Sequence, residues 1–211
     1  MEFRRARTDI QIEKRRQEII DAVASILENG DIDEINFKAI SEMTSIARPT
    51  IYKYYNTKEE ILLDLLTSDI KEWLSKIESF TQKNQTMTKE GFAEALSSAF
   101  SESPRMLKFM SLLSSLFEDN CSMEKLVEFK KEMSHDTHSI FNSMVKFFPE
   151  ASNDQIEMTM ITIMSFVSGL YPMTHNTEKQ LEAMKLANYK PIQSDFKTIC
   201  YNGILLLLGN L

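Results

Sequence analysis

At 211 residues the chain has room for one large domain or two smaller ones. Its 43% hydrophobic content supports a buried core, and only 5 Gly and 5 Pro argue against an all-β or loop-rich fold. The net charge of −7 is unevenly spread: residues 1–58 hold ten basic and ten acidic residues, so the whole acidic surplus lies further on.

The opening stretch is polar and basic, with Arg4, Arg5, Arg7, Lys14, Arg15 and Arg16 in the first sixteen residues. A signal peptide is therefore not expected. Alone, such a run reads as a solvated terminus; beside a DNA-binding motif it reads as a phosphate-facing surface. Ile12 to Asn29 reads as a first helix, because Ile19, Val23, Ile26 and Leu27 recur at helical spacing. Gly30 follows its end, and residues 31–35 form a short connection.

Asn36 is a good N-cap for a second helix, on which Phe37 and Ile40 share a face with Met43 beside them. The pattern breaks at Thr44-Ser45, and Ile46 points back inward. A second short helix can start near Ala47, where Pro49 is tolerated in the first turn. Ile51 and Tyr55 lie four apart on one side, and Arg48, Thr50, Lys53 and Tyr54 occupy the other. Thr57 with Glu60 signals a capping box for the next helix. Two short helices joined by a few residues, the second with a basic and hydroxyl-rich outer face, read as a helix-turn-helix.

The run from Ile40 to Leu62 resembles the DNA-binding region of TetR-type transcriptional repressors. The match is closest over Arg48-Pro49-Thr50-Ile51-Tyr52-Lys53-Tyr54-Tyr55 and Asn56-Thr57-Lys58-Glu59. Ser45 stands where the family has a turn Gly, Ala47 where it has a capping Ser, and Ser41 where it has Ala. A left-handed Ser45 would carry strain, and Ala47 removes a side-chain cap worth roughly 1 kcal/mol. By position, the resemblance implies DNA contacts from Lys38, Arg48, Pro49, Thr50, Tyr52, Lys53, Tyr54 and Lys58. Arg48 would read a guanine through a bidentate contact, and Lys58 would reach a phosphate.

Leu62 and Leu65 open a fourth helix, about Lys58 to Phe80, which carries the sole tryptophan, Trp73, as a packing residue. Thr81 to Thr88 reads as a connection. Further helices are expected at Lys89 to Phe100, Pro104 to Phe117, Met123 to Phe148, Asn153 to Tyr171, Lys179 to Ala187 and Asp195 to Leu208, with Pro149 and Pro172 as stops. No run approaches about 18 apolar residues without charge, so no membrane span is expected. Cys121 and Cys200 stand far apart, which suits a reduced, cytoplasmic protein.

Phe109, Met110, Leu113, Phe117, Phe129, Met133, Phe141 and Met144 gather in the middle helices. Such stripes are usually core, but unbranched Met also suits an adaptable apolar pocket for a small effector. Glu132, His135 and His138, with Asp136 between the histidines, form only one Glu-x-x-His, whereas helical di-iron sites use two. The late helices are apolar nearly all round and must be covered. The bundle interior could hide them, or a two-fold interface could. The family resemblance favours a homodimer through Met160, Ile163, Met164, Val167, Ile199, Ile204, Leu207 and Leu208. A dimer would set two recognition helices roughly 34 Å apart on a near-palindromic operator.

The expected fold is all-α: a helix-turn-helix head over 1–57 and a larger helical domain for ligand binding and dimerisation over 58–211. No phosphate loop, Gly-x-Ser-x-Gly or CxxC is present, so neither an enzyme nor a cofactor is expected. The implied function is a repressor whose partners are duplex DNA, a small apolar effector and a second copy of itself, with no membrane. Two alternatives stay open: an architectural DNA-binding protein without a ligand, and a helical metalloenzyme.

Overall fold

Every regular element among the described residues is helical, as the all-α reading requires. The structure is a computed structural model that describes residues 2–209 and Leu211; the side chains of residues 2–8, Asn29 and Asp136 lie outside the description. Arg4, Arg5 and Arg7 of the basic stretch are therefore set aside, as is Asp136.

The helices run α1 Glu2–Asn29, α2 Phe37–Met43, α3 Arg48–Ile51, α4 Lys58–Lys83, α5 Lys89–Ser101 and α6 Pro104–Leu112. They continue with α7 Met123–Phe147, α8 Asn153–Thr174, α9 Glu178–Leu186 and α10 Phe196–Leu208. Four differ from the sequence reading. α4 runs three residues past Phe80 to Lys83, into the stretch read as a connection. α1 starts ten residues earlier than Ile12, because nothing between Glu2 and Asn29 breaks a helix. α6 stops at Leu112, and Leu113–Phe117 form a wider turn before a short tight helix at Glu118–Asn120. α8 runs through Pro172 to Thr174. So near the end of a helix, Pro172 forfeits one ladder bond without ending the spiral.

The chain divides into two compact units, Met1–Ser68 with Ser114–Lys130, and Asp69–Leu113 with Lys131–Leu211. The first turns of α4 and the start of α7 pack with the helix-turn-helix.

In the first unit Ile19, Val23, Ile40 and Ile51 are fully buried, with Phe37 and Tyr55 beside them, while Leu27 is half-buried. Met43 is 52% exposed and does not join this core. The Tyr55 hydroxyl donates to Asp64 Oδ2 at 2.7 Å, and Lys125 pairs with the same carboxylate. Glu60 caps the start of α4. Its carboxylate accepts from the Asn56 amide at 2.7 Å and the Ser122 amide at 3.1 Å, while the Thr57 hydroxyl accepts from the Glu60 amide at 3.3 Å. The cap is thus one residue wider than the box expected from Thr57 and Glu60.

In the second unit Trp73 stacks on Phe100 with centroids 4.8 Å apart. Phe92 meets Phe80, Phe147 and Phe148 edge-on. Arg105 holds the buried Asp69 through two bonds of 2.8 and 2.6 Å. α10 packs against α5 and α8. Gly203 lies where α10 meets α8, and a Cβ there would come within 2.3 Å of the tip of the Phe166 ring, so that ring would have to move.

Burial pushes the Glu60 carboxyl up, but the hydrogen bonds from Ser122 and Asn56 outweigh it and hold the group below its ordinary 4.5. The stabilisation is therefore complete above that value and lost as pH falls through the lower folded value. Glu60→Gln should cost about 1–2 kcal/mol at neutral pH, and the difference from the natural chain should shrink on acidification. Urea unfolding of both proteins at neutral and acid pH checks this.

Candidate functional site

Within the first unit, α2 begins where Asn36 Oδ1 accepts from the Lys38 and Ala39 amides at 3.1 and 3.0 Å. The turn to α3 is gripped by α1: the Ser45 amide donates to Glu18 Oε1 at 2.5 Å, and Arg15 donates to Ser45 Oγ at 2.6 Å. The strain expected of a left-handed Ser45 does not arise. Asn188 is the only non-glycine with positive φ among the described residues. Hydrogen bonds from the Ser45 side chain and amide also hold the Glu18 carboxyl below its ordinary range. Ala47 gives α3 no side-chain cap, as its methyl group dictates. The Thr50 and Ile51 amides donate to the Ala47 carbonyl instead, at 2.7 and 3.3 Å.

α3 is only four residues long and continues as turns through Tyr54. Its base is fixed by Ile51 and Tyr55, which are 0% and 2% exposed. Above that base Arg48, Pro49, Tyr52 and Lys53 face solvent, while Thr50 and Tyr54 are half-buried. The Tyr52 ring stands edge-on to Phe37, with centroids 4.4 Å apart. Lys38 is exposed, 3.8 Å from Glu42. Lys58 is placed differently from the others: it is half-buried, and its Nζ donates to the Ile32 carbonyl at 3.3 Å. Two arginines of the basic stretch also have internal partners. Arg15 holds the Ser45 turn, and the Arg16 guanidinium lies 6.0 Å over the Tyr55 ring. What remains outward is a cationic, hydroxyl-bearing face on a rigid apolar base, a form suited to phosphate and base-edge contacts.

The second unit encloses a cavity of about 280 Å³. α4 supplies Ile70, Trp73 and Leu74, and α6 supplies Met106 and Met110. α7 adds Met133, Thr137 and Ile140; α8 adds Met160, Ile161, Met164 and Ser165. Apart from the two hydroxyls of Thr137 and Ser165, the lining is aliphatic, thioether and aromatic. It suits an apolar chain and offers no charge to one.

Of the eight residues expected around a pocket, Met110 and Met133 line this cavity. Phe109 and Met144 are buried away from it, and Leu113 is half-buried. Phe117 and Phe129 are buried in the other unit. Phe141 lies on a shallow groove with Ser134, His138 and Glu157. The physical reason is that helical spacing marks which faces are covered, not where covered faces fail to meet. Trp73, read as a packing residue, does both jobs.

The eight interface candidates also divide. Ile163, Val167, Ile204 and Leu208 are 2%, 1%, 0% and 0% exposed, so they fill the unit's own core rather than facing a partner. Met160 and Met164 line the cavity, and Ile199 and Leu207 are half-buried. The outward apolar residues are Met158, Ile161 and Met173 on α8 and Leu206 on α10. Half of the eight are thus inward, and none of the eight is among the exposed apolar residues of α8 and α10.

Glu132 is tied to Lys71 at 2.6 Å, and His138 Nδ1 lies 2.7 Å from the Ser134 carbonyl. No group of three or more His, Cys, Asp or Glu able to hold a metal ion occurs among the described residues.

A helix-turn-helix unit followed along the chain by a helical unit with an apolar cavity is the arrangement of the TetR-like fold. The tetracyclin repressor-like C-terminal domain family matches residues 67–209, and the chain belongs to that family of transcriptional regulators. No curated protein matches. Among the solved structures that share the fold are two regulators named FadR. The fatty acid degradation regulator FadR from Bacillus halodurans has 18% identity and a TM-score of 0.58, covering 93% of this chain and 95% of that one. FadR from Bacillus subtilis, in complex with stearoyl-CoA, has 16% identity and a TM-score of 0.56, covering 92% and 98%.

Trp73 is the sole tryptophan, so occupancy of the cavity has a built-in reporter. Titration with dodecanol should change its emission saturably. Unchanged emission throughout would mean that the cavity does not admit an apolar chain.

Proposed function

We propose that this protein is a homodimeric transcriptional repressor that binds a near-palindromic operator and is released by an effector bearing an unbranched apolar chain. The observation that carries the sensing half is the cavity, whose lining is almost wholly aliphatic, aromatic or thioether. Its size is near the lower end of small-molecule pockets, roughly 300–1,000 Å³. That favours a narrow chain over a bulky ring system. The FadR of Bacillus subtilis, seen with stearoyl-CoA, makes an acyl chain the first candidate. The cavity also weighs against the architectural reading, for which a dry, filled core would be expected.

The DNA half rests on the exposed face of α3. Arg48 is the candidate for base readout. Pro49 offers apolar contact to a thymine methyl. Thr50, Tyr52, Lys53, Tyr54 and Lys38 are candidates for backbone or base-edge contact. Lys58, donating to a backbone carbonyl, is the weakest of the set. Homodimerisation follows from the symmetry of such operators and from the outward apolar residues of α8 and α10. The protein would act in the cytoplasm, beside its DNA. Release is a population shift: the effector favours an arrangement of the two heads that no longer fits the operator, and it can act only through different affinities for the two arrangements.

Genomic-fragment selection supplies the operator, and fluorescence anisotropy then measures affinity. Arg48→Ala should lose about 1–3 kcal/mol and relax base preference at one position of each half-site. Lys58→Ala should change affinity far less. Unchanged preference in Arg48→Ala would remove it from the readout. Met164→Trp, which fills the cavity, should leave operator affinity intact and abolish release by palmitoyl-CoA. Release as efficient as in the natural chain would refute the cavity as the sensor.

A further inference from the structure

Two polar recesses adjoin the apolar cavity and share walls with it. One lies along α7 and α8, where Ser134, Thr137, His138, Phe141, Glu157 and Met160 line a groove of about 280 Å³. Thr137 and Met160 line the cavity as well. The other, of about 180 Å³, lies where α4 faces the connection from α5 to α6, and Met106 belongs to both it and the cavity. An amphiphile whose chain fills the cavity leaves its head in one of these recesses or in water.

Neither recess holds a cation in reserve for an anionic head. In the smaller one Asp69, Glu72 and Glu102 stand with Arg105, which already gives two bonds to Asp69, of 2.8 and 2.6 Å. Lys76 pairs with Glu72 and Glu102 at 3.9 and 3.4 Å, and one carboxylate still stays in excess. In the larger groove no lysine or arginine is present among the described residues. Glu157 is its one carboxylate, and that side chain has no ion pair or hydrogen bond among the described residues.

The hydrogen-bonding groups of the larger groove are set to accept. His138 Nδ1 lies 2.7 Å from the Ser134 carbonyl. A carbonyl only accepts, so Nδ1 carries the proton, and in the neutral imidazole Nε2 is left as an acceptor. The Thr137 hydroxyl donates to the Met133 and Ser134 carbonyls, both at 3.0 Å, and keeps only its lone pairs for a ligand. The Glu157 carboxylate accepts alone. Phe141 adds an aromatic ring to the same groove, a surface that attracts cations.

We infer that the effector is a long-chain amphiphile whose head donates hydrogen bonds and is not anionic, an alkylammonium above all, with its chain in the cavity and its head beside His138 and Glu157. This rests on the proposed reading of the cavity as the sensor. A coenzyme A ester would be held by its chain alone, because its phosphates find no unpaired cation beside the cavity and meet Glu157 instead.

The experiment sets four heads on one chain length. Dodecylamine, dodecanol, dodecanoate and dodecanoyl-CoA, each below its micelle threshold, are titrated into the full chain at neutral pH and read by the emission of Trp73, which lines the cavity. Dodecylamine should bind about tenfold tighter than dodecanoate or dodecanoyl-CoA, with dodecanol between them. Equal affinity for all four, or tighter binding of either anion, overturns the inference and leaves the cavity reading standing. No binding of any of the four overturns both. The net charge of −7 draws any amine to the chain, so the groove itself is tested by charge reversal. Glu157→Lys should weaken dodecylamine about tenfold and strengthen dodecanoate by a similar factor. A gain for one ligand cannot come from a misfolded chain. Glu178→Lys on α9, outside both recesses, should leave both affinities in place. An amine preference that survives Glu157→Lys, or that Glu178→Lys abolishes equally, belongs to bulk charge and overturns the inference.

Discussion

The hydrogen bond from Tyr55 to Asp64 is the constraint on which the recognition segment depends. A four-residue helix cannot hold itself in water, because nucleation costs more than so few backbone bonds return. α3 lacks even a side-chain cap. Its orientation comes from two buried anchors, Ile51 and Tyr55, and only the second has a polar tip that must be satisfied inside. Burial, with the nearby Asp64 carboxylate, pushes the Tyr55 phenol far up, so it remains a donor at any physiological pH. Lys125 then binds the same carboxylate and Glu128, and Arg16 covers the ring. One buried hydroxyl thereby fixes a segment whose other face is left free for a duplex.

Much of the formal positive charge near the motif serves the same end. Arg15 closes the turn onto α1, Arg16 seals Tyr55 and Lys58 caps a carbonyl. A count of basic residues would assign all three to phosphate. The geometry spends them on holding the head together and leaves Arg48, Lys53 and Lys38 outward. Ser45 illustrates the same economy from the other side. It replaces a turn glycine without strain, because this turn needs no left-handed residue and because Arg15 donates to its hydroxyl, a contact that a glycine could not make.

In the second unit the decisive feature is a failure of packing. α4, α6, α7 and α8 bury their apolar faces but do not fill the space among Trp73, Met110, Met133 and Met164. Flexible thioethers around such a gap can re-pack about a guest, which branched side chains do less readily. α8 borders the gap with one flank, the core with a second and solvent with a third. A helix placed so can tie occupancy of the cavity to what lies against its outer side.

The sequence by itself determined the helical class, nearly all the helix boundaries and the helix-turn-helix. These follow from local rules: a cap at Asn36, a proline at the start of α6, apolar residues three and four apart. The same rules made Ile51 and Tyr55 inward and Arg48 and Lys53 outward. Tertiary structure alone decided the cavity and the two faces of α8. Periodicity places Met160 and Met164 with Ile163 and Val167 in one broad apolar arc. Which part of that arc meets a neighbouring helix, which borders a void and which stays bare depends on residues far away in the chain, such as Trp73 and Gly203. Pro172 shows the converse limit, since a helix stop acts only where the lost hydrogen bond is not near an end. Local chemistry sets what each segment can form; the distance between covered surfaces is set by all of them together.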